Sequence, residues 1–211
     1  MLKQVFWDLA LQHTNTSSVV QLWHEIESRY TAPDRHYHNL SHLDHMLSEV
    51  SSVRSEIDDW DTVLFAMFYH DIIYNPLALD NEEKSAELAV IRLRELSFPE
   101  EGIHKCSKII LATKGHNWTE DSDTRYFTDA DLSILGKDWN CYIDYCKKIR
   151  EEYLIFPDSV YRTGRQTVLN HFLEMQRIFK TEHFFNHYEK FARQNIKKEM
   201  DILNDNEFIL P

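Results

Sequence analysis

Glycine and proline are scarce in this chain, with 4 and 5 in 211 residues, well under average usage. So few breakers exclude a fold built on many tight turns and favour long helices joined by short loops. Cysteine is also scarce. Cys106, Cys141 and Cys146 are odd in number and form no Cys-x-x-Cys pair, which fits reduced thiols rather than a disulfide framework or a zinc knuckle. Long apolar runs are missing: the most apolar stretch, 63–73, is broken by His70 and Asp71 and is too short to span a bilayer. Met1-Leu2-Lys3-Gln4 leads into no apolar signal region, so a cytoplasmic protein with no membrane partner is expected. Positive charge is in deficit, with 23 Lys and Arg against 35 Asp and Glu and a net charge of −12. That balance argues against a nucleic-acid surface. It also means that a phosphorylated substrate needs a metal or a local basic pocket to offset repulsion.

What the chain does have is helical periodicity. Apolar residues recur at helical spacing almost throughout, and no segment alternates as a strand does. The pattern predicts an all-α single domain over 1–211, with helices at roughly 2–13, 17–31, 39–55, 59–74, 80–97, 99–114, 124–136, 138–155, 158–180 and 183–204. Asp80 reads as an N-cap with Glu83 at the capping-box position, and Asn75-Pro76 closes the preceding helix. The segment 114–123 is the one long polar interval, and the Tyr-, Phe-, Arg- and Glu-rich tail from about 138 is predicted to be a helical hairpin covering the core.

The segment 59–74 carries the most information. Val63, Leu64, Phe65, Met67, Phe68, Tyr69, Ile72 and Ile73 lie all around its axis, so burial on every side is predicted. His70 and Asp71 are then interior, and a buried carboxylate is costly unless paired, hydrogen-bonded or bound to metal. Adjacent helical residues point about 100° apart, so both reach one ion only at the C-terminal end, where side chains converge. A His–Asp pair in the core is the plain alternative. On the helix near 39–55, His42 borders the apolar face of Leu40, Leu43, Met46, Leu47 and Val50, which makes it a candidate ligand. His38 is placed at the mouth of the site, and His45 points nearly opposite the apolar face. Asp129 and Asp131 flank Ala130; one caps or bonds locally and the other reaches a metal, or both cap.

As an ordered set, His42, His70-Asp71 and Asp131 resemble the HD superfamily of metal-dependent phosphohydrolases. The whole chain is similar to its subgroup of predicted phosphohydrolases with a Tyr-His-Asn-Leu-x-His motif, here Tyr37 to His42. The start of the pattern is also similar to cyclic-nucleotide phosphodiesterases, although Lys114 stands where those enzymes carry Asp. The resemblance implies an HD-type helical bundle, with a motif-bearing core at about 30–136 and an added C-terminal hairpin at about 138–205. It selects Asp131 over Asp129 and implies a divalent ion (Mn, Mg, Fe, Co, Ni or Zn) on His42, His70, Asp71 and Asp131. It makes His38 the proton donor and assigns Asp71 to catalysis.

The implied reaction is hydrolysis of a small phosphoester, a nucleotide being favoured, by metal-activated water. His116, Lys114, Arg35 and Arg165 are the candidates to contact the phosphorylated substrate, and Glu82 to orient the attacking water. The rival expectations are a di-iron oxygenase and a non-catalytic metal- or nucleotide-binding regulatory protein. A homodimer is left open.

Overall fold

The computed structural model describes residues 1–205, and every regular element among them is helical. In chain order these are α1 (Leu2–Ala10), α2 (Thr16–Tyr30), α3 (Leu40–Ser52), α4 (Trp60–Tyr69), α5 (Asn81–Glu95), α6 (Glu100–Ala112), α7 (Ser122–Leu132), α8 (Trp139–Glu152), α9 (Asp158–Glu174), α10 (Glu182–Phe184) and α11 (Lys190–Asn204). Single 3₁₀ turns occupy Arg54–Glu56 and Ser133–Gly136, and a π-helical stretch, Phe185–Glu189, joins α10 to α11. The all-α expectation holds. No helix among the described residues is long and apolar enough to cross a membrane, and no disulfide joins the three cysteines.

The chain packs as two compact units, the first Met1–Ala130 and the second from Asp131 onward. In the first unit α4 is the central helix. Every residue from Thr62 to His70 is buried, because α1, α3, α5 and α6 all pack on α4. Phe6 of α1 meets the edges of Phe65 and Phe68, with ring centroids 6.5 and 5.1 Å away. At Gly102 of α6 an added Cβ would lie 2.4 Å from the Phe98 ring and 3.0 Å from Thr62. Any larger residue there displaces the Phe98 ring and presses on Thr62 of α4.

The second unit is built on α8, α9 and α11. Arg165 of α9 makes a two-pronged ion pair with Glu199 of α11, Nε to Oε1 at 2.7 Å and Nη2 to Oε2 at 3.0 Å. Tyr142 of α8 donates a short hydrogen bond to the same carboxylate. Asn195 of α11 donates to the carbonyls of Leu135 and Lys137, which ties α11 to the 3₁₀ turn before α8.

Three local features differ from the sequence-based expectation. Helix α4 stops at Tyr69 rather than near 74, because the carbonyls of Asp71 and Ile72 turn out of the helical ladder to a guanidinium from elsewhere. Helix α9 stops at Glu174 rather than 180, and Arg193 takes the carbonyls of Leu173, Met175 and Gln176. The capping box at Asp80 does not form: Asp80 pairs with Lys84 and Glu83 with Lys114. Those lysines compete with the backbone N–H groups for the two carboxylates.

Candidate metal centre

The segment Tyr37–His42 is arranged by its own capping chemistry. Asn39 caps α3, accepting the Ser41 N–H at 2.8 Å and donating to the His36 carbonyl at 2.8 Å. That cap puts His42 in the first turn of α3, on the buried side, where the residue is 3 % exposed. His70 follows directly on α4 and is 1 % exposed, and Asp71 is partly buried beside it. Both therefore stand at the C-terminal end of α4, where neighbouring side chains can converge.

Converge they do. His42 Nε2 and His70 Nε2 are 3.1 Å apart, and Asp71 Oδ2 lies 3.0 Å from His70 Nε2 and 3.7 Å from His42 Nε2. Asp131 joins the two histidines, with one donor atom of each residue within 4.8 Å of the others. Two donors bound at right angles to one ion at about 2.1 Å are about 3.0 Å apart, so these separations fit a shared cation. The tautomer fits as well. His70 Nδ1 is 2.9 Å from the Met67 carbonyl, an acceptor, and so carries a proton; in the neutral ring that leaves the Nε2 lone pair for a metal. Phe127 closes the site from one side, its ring edge-on to His70 at 5.7 Å. The group His42, His70 and Asp131 can hold a metal ion, and Asp71 stands in contact with both imidazoles.

Asp131 is delivered by α7. The other end of α7 is anchored by Asp123, which is 1 % exposed and accepts the N–H groups of Asp58 and Asp59 at 2.8 and 2.9 Å and Lys105 Nζ at 2.6 Å. Asp123→Ala would leave these part-buried donors without their acceptor, a loss of about 1–3 kcal/mol. Urea denaturation at neutral pH checks this, and an unchanged midpoint would show that α7 does not depend on the anchor. Asp129, the rejected alternative ligand, is fully buried on the same helix and is not in the metal-binding group.

The electrostatics favour an anionic Asp71. Burial opposes its ionisation, but the imidazoles of His70, His38 and His42 overcome that and hold the carboxyl well below the ordinary range. Glu82 moves the other way. Burial raises its pKa and nearby Asp71 adds to the rise, against its own backbone N–H and Lys114. Glu82 therefore feels the charge of the centre.

The remaining candidates are placed as follows. His38 stands beside the centre, 5.9 Å from His42 between ring centroids and stacked on Tyr74 at 4.3 Å. His116 is half-buried after α6 in a left-handed conformation, φ 49°, uncommon outside glycine and a mark of local strain. Lys114 is engaged, donating to Glu83 and to the Leu79 carbonyl. Arg35 is corrected from a substrate contact to a structural one: it is buried and donates to three carbonyls, those of His38, Asp71 and Ile72. Arg165 is corrected likewise, because its guanidinium is committed to Glu199 inside the second unit.

Two residues of the centre escaped the sequence. Tyr74 stacks on His38, and the Tyr30 hydroxyl accepts the Asp71 N–H at 3.3 Å. An aromatic residue in a helical pattern reads as core, so neither carried a signal. Comparison of the chain with family models, with curated proteins and with solved structures found no match.

Proposed function

We propose that this protein is a metal-dependent phosphohydrolase acting on a small phosphoester, with a nucleotide favoured over a sugar phosphate. The observation that carries the reading is the meeting of His42, His70 and Asp131 donors within 4.8 Å of one another, with Asp71 against both imidazoles. The order of the motifs along the chain, with its resemblance to HD phosphohydrolases, supplies the reaction class. A divalent ion at this point would supply Lewis acidity toward a phosphoryl oxygen and toward water.

The chain's own residues do the rest. The Met67 carbonyl keeps the His70 ring in its ligating tautomer. Asp71 remains anionic against the three imidazoles around it. Glu82, whose carboxyl is shifted upward by burial, is the residue to orient the attacking water. His38 is the proton donor to the departing oxygen; Tyr74 fixes its ring plane beside the centre without putting it among the closest donors. With Arg35 and Lys114 both engaged by protein groups, the charge of the phosphoryl group falls to the ion and to His38.

A panel of phosphomonoesters and phosphodiesters, offered to metal-replete protein, tests the reading. Turnover that a chelator abolishes is the expected result. Inactivity throughout, with oxygen consumed on a reduced substrate, would replace it by the oxygenase alternative. Inactivity in both assays with tight ligand binding would replace it by a regulatory module.

The acid role of His38 has its own signature. His38→Ala is expected to lower turnover on the order of 10²-fold for substrates with alkoxide leaving groups, with metal content near wild type. For a nitrophenyl ester, whose leaving group departs unprotonated, the loss should be small. Equal losses on both substrate types would rule out the acid role, and loss of metal would make His38 a ligand.

A further inference from the structure

We infer that Arg35 is the positioning residue of the candidate metal centre: one guanidinium ties the segment bearing His38 and His42 to the segment bearing His70 and Asp71, and so sets the spacing of their donor atoms. The inference rests on the metal reading proposed above and adds to it the part that pre-forms the site.

The two segments are far apart in sequence and have to be brought into register. Arg35 Nη1 donates to the His38 carbonyl at 2.9 Å and to the Asp71 carbonyl at 2.6 Å, and Nη2 donates to the Ile72 carbonyl at 3.0 Å. Asp71 and Ile72 lie just past the end of α4, where outward-facing carbonyls concentrate negative charge and favour a cation. The guanidinium carbon lies 5.1 Å from the Tyr30 ring centroid and 5.3 Å from that of Tyr74. Tyr74 in turn stacks on His38, and the Tyr30 hydroxyl takes the Asp71 N–H. Arg35 thus has its guanidinium carbon over both tyrosine rings, and Tyr74 carries the contact on to the His38 imidazole.

This use is specific to arginine. A planar fork with five donors can serve three carbonyls while its flat faces meet aromatic rings; an ammonium keeps the charge but not the fork. Groups that orient metal ligands from the next layer out typically change metal affinity by about 10–100-fold when removed. The same residue is a candidate phosphate contact by sequence, yet Nη1 and Nη2 donate to three backbone carbonyls.

Cobalt(II) binding by wild type, Arg35→Lys and Arg35→Gln tests the inference, with affinity from titration and coordination from the visible absorption of the bound ion. The melting temperature of each apo protein, measured with chelator, separates site from fold. Both variants are expected to fold and to bind cobalt(II) at least about 10-fold more weakly, with an altered absorption spectrum. Wild-type affinity and spectrum in the variants, whatever their melting temperatures, would overturn the inference and leave the metal reading intact. If only one variant folds, that one decides. If neither folds without metal, Arg35 is a folding residue and the inference is overturned. A wild type that binds no cobalt(II) is a different failure, because it removes the metal reading itself.

Discussion

An Asp71→Ala variant is expected to lose divalent-metal affinity by more than about 100-fold and with it all metal-dependent turnover, whereas Asp129→Ala retains its metal. Asp71 stands against both imidazoles, with Oδ2 at 3.0 Å from His70 Nε2 and 3.7 Å from His42 Nε2. Removing it leaves those imidazoles and Asp131 as the surviving donors and takes away a negative charge held ready by its surroundings. Asp129 is buried on the same helix as Asp131 but outside the donor group, so its loss strains α7 without emptying the centre. Elemental analysis of protein purified without added metal, followed by titration with manganese or cobalt, measures both effects. Metal retained by Asp71→Ala and lost by Asp129→Ala would show that the wrong carboxylate has been chosen.

Glu199→Gln is expected to cost about 3–5 kcal/mol of stability at neutral pH, because it leaves the buried Arg165 charge without its counter-ion. Arg165 and Glu199 are 7 % and 3 % exposed as side chains. Their pair is two-pronged, with Tyr142 as a further donor to the carboxylate and the Tyr145 hydroxyl 3.1 Å from Arg165 Nη1. Burial pushes the Glu199 carboxyl up, but Arg165 and the hydrogen bonds outweigh it and leave the pKa lowered in the folded state. A carboxyl that is lowered on folding contributes stability fully above its unfolded value, about 4.3 for Glu, and loses it as pH falls through the folded value. Wild type should therefore lose stability on acidification below about pH 4 in a component that Glu199→Gln lacks. Chemical denaturation across that range reads it out. The double variant with Arg165→Met should recover much of the loss. A single-variant loss below about 1 kcal/mol would mean that the pair is solvated rather than buried.

Much of this architecture follows from short-range pattern. The apolar spacing of α2, α3, α5, α6 and α8 places each helix to within a few residues, since one buried stripe per helix is a local property. The all-round apolar character of 59–74 foretells an α4 buried on every side. The border position of His42 beside Met46 foretells its burial. That His70 and Asp71 can meet only at a helix end also follows from the 100° step between neighbours, and α4 ends there.

What the tertiary structure decided are the partnerships between distant segments. Which of Asp129 and Asp131 faces the histidines depends on how α7 is anchored by Asp123 to the Asp58 and Asp59 backbone, and no periodicity distinguishes them. Arg35, Lys114 and Arg165 are alike on paper as phosphate-binding cations. Their different fates come from carbonyls at the end of α4, from Glu83 and from Glu199. The reason is physical. Helix formation is decided by neighbours within a turn or two, whereas the partner of a charged or planar side chain is decided by which surfaces packing brings together.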